Sequence, residues 1–403
     1  MDALTLYLVL GFTLAVVFAL FASYGDFCTM GALSDWVNMG DLGRVRSWSL
    51  AAGLSVLLLA LAHSRGLLDI LLASSSDTSP TPYLNTEVRW LRNIVGGLLF
   101  GVGMTLAGGC SSKSLLRAGG GDLKALLALL FLGLFAWLSV YTETGGLVLS
   151  VFSNVSLDVA ATGAETQSIA DVAASSFSVD VGYFQLLLTV LLGGALILFA
   201  VGAASFRAEQ RLWVAGLGIG VVVLLVWWLT AGTLGAEALE ESDFSEQPTL
   251  SMGAQSLSFT LPVGQAGYYL SKGMPSAWLT LGVSMAFGVL FGGFVYALLN
   301  RRLRFQWFHS KSDFINHAVG GALMGFGGVL AMGCTVGQGL SGVSTLAIGS
   351  FVALFGIVLG CVLTLRFRFY SLVYEDASSA AILLTALAET RVIPSSFRRL
   401  EKV

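Results

Sequence analysis

Cys110 and Cys334 occupy the same place in two copies of one segment. Residues 95–110 read VGGLLFGVGMTLAGGC and residues 319–334 read VGGALMGFGGVLAMGC. The copies align without a gap: Val95, Gly96, Gly97, Leu99, Gly101, Gly103, Leu106, Ala107, Gly109 and Cys110 each return as the same residue 224 positions later. The chain has four cysteines, and two of them fall at this matched point. A third, Cys28, has a related context: Cys28-Thr-Met-Gly parallels Cys334-Thr-Val-Gly, while the first copy continues Cys110-Ser-Ser-Lys. Each of the three is followed by a hydroxyl residue, Thr29, Ser111 or Thr335. Gly109 and Gly333 precede the matched pair, and Lys113 stands in the first copy where the second has Gly337. Cys361, within GIVLGCVLTL, lacks this context and reads as a small buried hydrophobe.

A Gly-rich turn that opens a short helix aims backbone N–H groups at one point, which is a ready anion site. A thiol placed there is soft and polarizable and only a weak hydrogen-bond donor or acceptor. Such contacts hold a substrate loosely, and conduction needs binding that admits an ion and still releases it. Three such sites suit a soft sulfur anion better than a hard one such as sulfate, which would call for more Arg or backbone N–H ligation. A thiolate would repel an anion, so the neutral thiol is the expected working form. The cysteines at 28, 110, 334 and 361 form no CxxC pair, and their spacing fits neither a zinc site nor a thioredoxin-type motif. The three histidines, His63, His309 and His317, are scattered. No catalytic set, metal or cofactor is expected.

The elements that position these residues are membrane helices. The chain of 403 residues is 56% hydrophobic and 11% charged, where a soluble domain carries about 25% charged residues. A net charge of −3 and the absence of a basic tract give no reason to expect nucleic acid. Nine apolar segments approach the roughly 20 residues of a bilayer span: 3–24, 46–63, 92–108, 122–141, 181–203, 211–232, 276–299, 314–332 and 343–365. The expected fold is an all-α polytopic membrane protein, a single transmembrane domain over 1–403 with Cys-bearing broken or re-entrant loops. Repeat one covers about 1–141 and repeat two about 181–366. Polar segments 64–90, 142–180 and 235–272 connect spans, and 367–403 forms a cytoplasmic tail in which 378–388 is apolar but too short to cross.

Basic residues set the orientation. Arg207 and Arg211, then Arg301, Arg302, Arg304 and Lys311, then Arg366 and Arg368 with the tail, mark cytoplasmic connections. Residues 143–180 contain no Lys or Arg and should face outward. The N-terminus is then outside and the C-terminus cytoplasmic. Arg65, Arg89 and Arg92 break the pattern, because they fall in a connection this scheme places outside. In this orientation the loop of Cys110 enters from the cytoplasm and that of Cys334 from outside. The copies then form an inverted-topology repeat, the architecture in which substrate sites lie near the midplane.

GGCSSKSLLRAGGGDLKAL (108–126), MGCTVGQGLSGVS (332–344) and FCTMG around Cys28 resemble the YeeE/YedE family of sulfur-transport membrane proteins. The resemblance implies thiosulfate uptake across the bacterial inner membrane through an hourglass-shaped protein, with cysteines that relay the ion by transient hydrogen bonds. Carried over, Cys334 would be the outer site, Cys110 the central one and Cys28 the inner one. Arg117 matches an Arg common in the motif, and an Arg near membrane depth is a functional candidate. Lys113 departs from the family's usual Gly; it either attracts the anion or snorkels to the interface. A small cytosolic sulfur-carrier protein is an implied partner, beside the lipid bilayer. Two alternatives stay open: transport of another sulfur or selenium species, and a membrane sulfur-transfer enzyme that works through cysteine persulfides.

Overall fold

A computed structural model describes residues 2–400, apart from 73–82, 178, 245–248, 250, 251, 375 and 391. Much of the expected loop 64–90, part of the acidic run after 235 and the basic residues Arg391 and Lys402 lie outside the described residues. The described chain is almost wholly helical. Its helices are α1 Ala3–Tyr24, α2 Thr29–Met39, α3 Gly43–Ser64, α4 Trp90–Leu106, α5 Ser111–Gly119, α6 Leu123–Tyr141, α7 Glu143–Ser153, α8 Ile169–Phe177 and α9 Val181–Val201. They continue with α10 Ala204–Ala208, α11 Gln210–Ala231, α12 Thr233–Asp243, α13 Thr260–Ser271, α14 Leu281–Leu299, α15 Lys311–Leu330, α16 Ile348–Val373 and α17 Ser379–Glu389. Between α15 and α16, residues 335–344 form a short helix with a π-helical stretch at Gly337–Gly342. The one described sheet pairs β1 Glu87–Val88 with β2 Leu157–Asp158, antiparallel.

Among the described residues, eight stretches are long and apolar enough to cross a membrane. This is one fewer than the nine segments expected. The missing one is α15, which has the expected position and 20 residues but begins KSDFINH and carries five glycines, Gly320, Gly321, Gly325, Gly327 and Gly328. Its low hydropathy follows from its place in the protein: those glycines face other helices rather than lipid. The lipid-facing role falls to helices such as α9, where Leu186, Leu187, Val190, Leu191 and Leu198 are exposed apolar side chains. The apolar tail segment 378–388, too short to cross, is α17.

The core is built on backbone approach at glycine. A Cβ on Gly96 would lie 2.7 Å from the carbonyl of Gly327, and one on Gly327 would lie 2.8 Å from that of Gly96. A Cβ on Gly103 would lie 2.6 Å from the carbonyl of Gly320, and one on Gly320 would lie 2.7 Å from that of Gly103. Small residues let membrane helices touch in this way. The early end of α4 therefore meets the late end of α15 and the reverse, so the two helices run antiparallel. The reciprocity extends outward. Gly101 abuts the carbonyl of Ile357 and the amide of Cys361 in α16, while Gly325, its match in the second copy, abuts the carbonyl of Leu132 and the amide of Ala136 in α6.

Connections group by face. The pairing of β1 with β2 joins the segment before α4 to the segment after α7. On the other face, Asp122 ahead of α6 bridges to Gln306 ahead of α15.

Any side chain at the central crossing must push backbone aside, because the opposing atoms are carbonyls and amides. Gly103→Ala is expected to destabilise the protein by about 1–3 kcal/mol, read as a lower thermal midpoint in detergent. Gly146→Ala, inside α7 where an added Cβ meets nothing within 4 Å, is expected to leave the midpoint unchanged or raise it slightly, since Ala favours the helix over Gly.

Candidate functional site

One turn is used three times. The helix before each cysteine ends on a bond from the amide just ahead of the cysteine to a carbonyl five residues back: Phe27 to Ala22 at 2.8 Å, Gly109 to Met104 at 2.9 Å and Gly333 to Gly328 at 2.8 Å. This is the Schellman form of helix ending. It requires a left-handed residue, found two positions before each cysteine: Asp26 with φ 49°, Gly108 with φ 71° and Met332 with φ 60°. The chain then extends, and the cysteine caps the next short helix. Cys28 (φ −155°, ψ 125°) caps α2 and Cys110 (φ −75°, ψ 176°) caps α5. Cys334 stands ahead of helical residues 335–344.

All three thiols are buried. The Cys28 sulfur accepts from the Gly31 amide at 3.5 Å, and the Cys334 sulfur accepts from the Gly337 amide at 3.4 Å, the same third position in both. Cys110 contacts the Ser112 hydroxyl at 3.3 Å. The Cys28 and Cys110 side chains interact directly. Across the crossing, the Ser111 hydroxyl faces Cys334 and the Thr335 hydroxyl faces Cys110. Cys110 thus sits between the other two. Among the described residues, the buried Ser111, Ser114 and Thr335 hydroxyls have no hydrogen-bond partner in good geometry. Together they form a cluster of weak sulfur groups and hydroxyls between short-helix N-termini.

Cys361 is apart from this cluster. It accepts from the Thr105 hydroxyl at 3.3 Å inside the packing of α4 and α16, and its counterpart beside Gly325 is Ala136. Gly109 and Gly333 leave room for neighbours, since a Cβ on Gly109 would lie 3.1 Å from Lys113 Cγ and one on Gly333 3.2 Å from Gln338 Cγ. Arg117 is held by backbone carbonyls and a carboxylate. It donates to the carbonyls of Gly108 at 2.9 Å and Ala107 at 3.3 Å, and pairs with Asp122 at 2.7 Å. It therefore ties the end of α4 to the start of α6. Lys113 is ion-paired with Asp26, two residues ahead of Cys28.

A cavity of about 370 Å³ reaches Met332 and Gly333, just ahead of Cys334, and is lined also by Tyr83, Arg89, Arg92 and Ser258. Arg92 donates to the carbonyls of Val329 and Leu330 at 3.0 and 2.9 Å, and Arg89 pairs with Glu87 at 3.0 Å. Tyr83 packs edge-on against Trp227 and sits beside Gly337.

The family described as sulphur transport matches residues 24–363, a stretch that holds all four cysteines. The chain belongs to that family. It is 28% identical over 279 residues, 67% of this chain and 72% of the other, to the thiosulfate transporter TsuA of Escherichia coli (strain K12). It is 25% identical over 365 residues, 87% of this chain and 96% of the other, to the thiosulfate transporter TsuA of Spirochaeta thermophila. The sulphur transport family and the apolar helices together make this a multi-pass membrane protein.

For this member of the sulphur transport family, several site residues escaped the sequence reading. Asp26 precedes its cysteine by two residues but looks like a loop acid. Gln338 fills the space beside Gly333 and donates to the Ala331 carbonyl at 2.6 Å, with nothing in its spacing to mark it. Phe259, ahead of α13, brings its backbone to Cys334 from a segment that carries no cysteine. Only Arg89 and Arg92 carried a signal, their breach of the charge pattern.

An unsatisfied buried hydroxyl costs about 1–3 kcal/mol. Ser111→Ala and Thr335→Val are therefore expected to raise the thermal stability of the ligand-free protein by about 1 kcal/mol each, measured by melting in detergent. Unchanged or lowered midpoints would show that these hydroxyls already have partners.

Proposed function

We propose that this protein carries thiosulfate, or a closely related sulfur anion, inward across the bacterial inner membrane through the line of Cys334, Cys110 and Cys28. The observation that carries the reading is the reciprocal arrangement of Ser111 with Cys334 and Thr335 with Cys110. It puts soft sulfur and hard hydroxyl groups at one point, which matches an anion with a soft sulfur end and hard oxygens. Neutral thiols and hydroxyls can turn their protons toward a passing anion and then release it, as conduction requires. Gly109, Gly333 and Gly337 keep backbone close to the path, and the family membership and the names of both relatives support the substrate class.

The antiparallel crossing of α4 and α15 supports an inverted-topology repeat, with repeat one about 1–141 and repeat two about 181–366. It puts the breaks at Cys110 and Cys334 back to back, the arrangement of a midplane site. The charge pattern supports an outer N-terminus and a cytoplasmic C-terminus, with the 370 Å³ cavity facing out. A small cytosolic sulfur-carrier protein belongs to the same proposal, since a passive path runs inward only while the inner concentration stays low.

Cys110→Ala is expected to abolish uptake of labelled thiosulfate in proteoliposomes at unchanged protein content, while Cys361→Ala keeps it. Uptake by the Cys110 variant at the wild-type rate would remove the relay. If the protein is instead a sulfur-transfer enzyme, mass spectrometry after turnover will find a persulfide on Cys28, Cys110 or Cys334. For orientation, cysteines placed at the exposed Glu165 and Lys311 are expected to label from outside and inside respectively with an impermeant maleimide. The opposite pattern reverses the assigned topology.

A further inference from the structure

The transport reading leaves Lys113 and its partner unused. Lys113 lies three residues after Cys110, where the second copy has Gly337, and it is ion-paired with Asp26. Asp26 lies two residues before Cys28 and holds a left-handed backbone with φ 49°, a conformation that Asp tolerates better than most residues. The pair therefore bridges the loops of two neighbouring thiols, Cys28 and Cys110. Arg44 makes a third corner. It meets Asp26 at 3.0 Å and holds Asp35 of α2 through two nitrogens, at 2.5 and 2.7 Å. A Cβ on Gly31 would lie 2.4 Å from the Arg44 guanidinium, so this cation sits against the helix that Cys28 caps. Arg302 adds positive charge near Asp26.

Two cations thus converge on one carboxylate at the end of the thiol line away from the large cavity. The Asp26 side chain is 62% exposed, and an ion pair so open to solvent is weak and exchanges partners readily. Lysine suits exchange, because its ammonium is a compact point charge on a flexible stem with rotatable donors.

We propose that Lys113 is a substrate-contact residue at the inner mouth, whose partner alternates between the Asp26 carboxylate and the departing anion. With no anion in the path, Asp26 occupies the cation and ties the two loops together. An anion leaving Cys110 and Cys28 takes its place and frees the loops, and Asp26 then recovers Lys113 and expels it. The carboxylate keeps two cations from trapping a divalent anion at the exit. The inference rests on the transport reading above.

The test is concentration-dependent thiosulfate uptake by the full chain in proteoliposomes. Asp26→Asn leaves Lys113 and Arg44 without their competitor, so KM and the maximal rate should both fall, each by about fivefold. Lys113→Gly, which copies the second repeat, should raise KM, and Lys113→Arg should restore it toward the wild-type value. Opposite shifts of KM for Asp26→Asn and Lys113→Gly support alternation. Shifts in one direction, or none, reduce the pair to a structural tie and overturn the inference while leaving transport standing. A wild-type protein that takes up no thiosulfate would instead remove the transport reading itself.

Discussion

The architecture depends on the antiparallel contact of α4 with α15 through Gly96, Gly103, Gly320 and Gly327. An interrupted helix within a bilayer exposes amides and carbonyls that lipid cannot satisfy, so a break is tolerable only where protein encloses it. The glycine contact supplies that enclosure. It brings two helix ends into one place from opposite directions, and flanks them with α16 on one side and α6 on the other through Gly101 and Gly325. Widening the crossing by one methyl group would open the breaks as well as the packing, so fold and site share a single constraint.

Inside that enclosure the turn geometry does the positioning. Each Schellman ending consumes helix carbonyls that would otherwise be orphaned, and at Cys28 and Cys334 the sulfur accepts one amide of the helix that follows. Sulfur is a poor cap beside the oxygen of Ser, Thr or Asp. A poor cap leaves the N-terminus partly unspent, so the short helix retains amide dipole for an anion while the thiol remains free to turn. Cysteine at this position trades local helix stability for a site that is polarizable and only lightly committed.

What could be read beforehand follows from which signals are local. Composition and hydropathy marked the spans well, because each span is contiguous in sequence. A hydropathy threshold alone undervalues α15, whose glycines answer to neighbours far along the chain. The matched segments exposed Cys110 and Cys334, and the hydroxyl after each was visible as a pattern. Its target was not, since Ser111 faces the cysteine of the opposite copy, 223 residues away. Arg117 drew attention as an intramembrane cation, yet its guanidinium is spent on Ala107, Gly108 and Asp122, contacts that depend on how α4 ends. Lys113 stood out as the position where the copies differ, but Asp26, the residue that decides what Lys113 does, is 87 positions away and carries no repeat signature.

That difference makes the two ends of the thiol line electrically unequal. At the large cavity Arg92 is held by carbonyls and by Ser153, and among the described residues it has no carboxylate partner. At the other end Lys113 and Arg44 share Asp26, and Arg44 also holds Asp35. A cleft lined by uncompensated positive charge raises the local concentration of anions, whereas a compensated one does not until its internal carboxylate moves. On the proposed transport reading, the matched cores would pass an ion either way, while the mouths would collect anions on one side and shed them on the other. Such asymmetry cannot move an ion against its gradient. On that reading it would set which face fills first, and would leave net direction to whatever consumes the anion beyond Cys28.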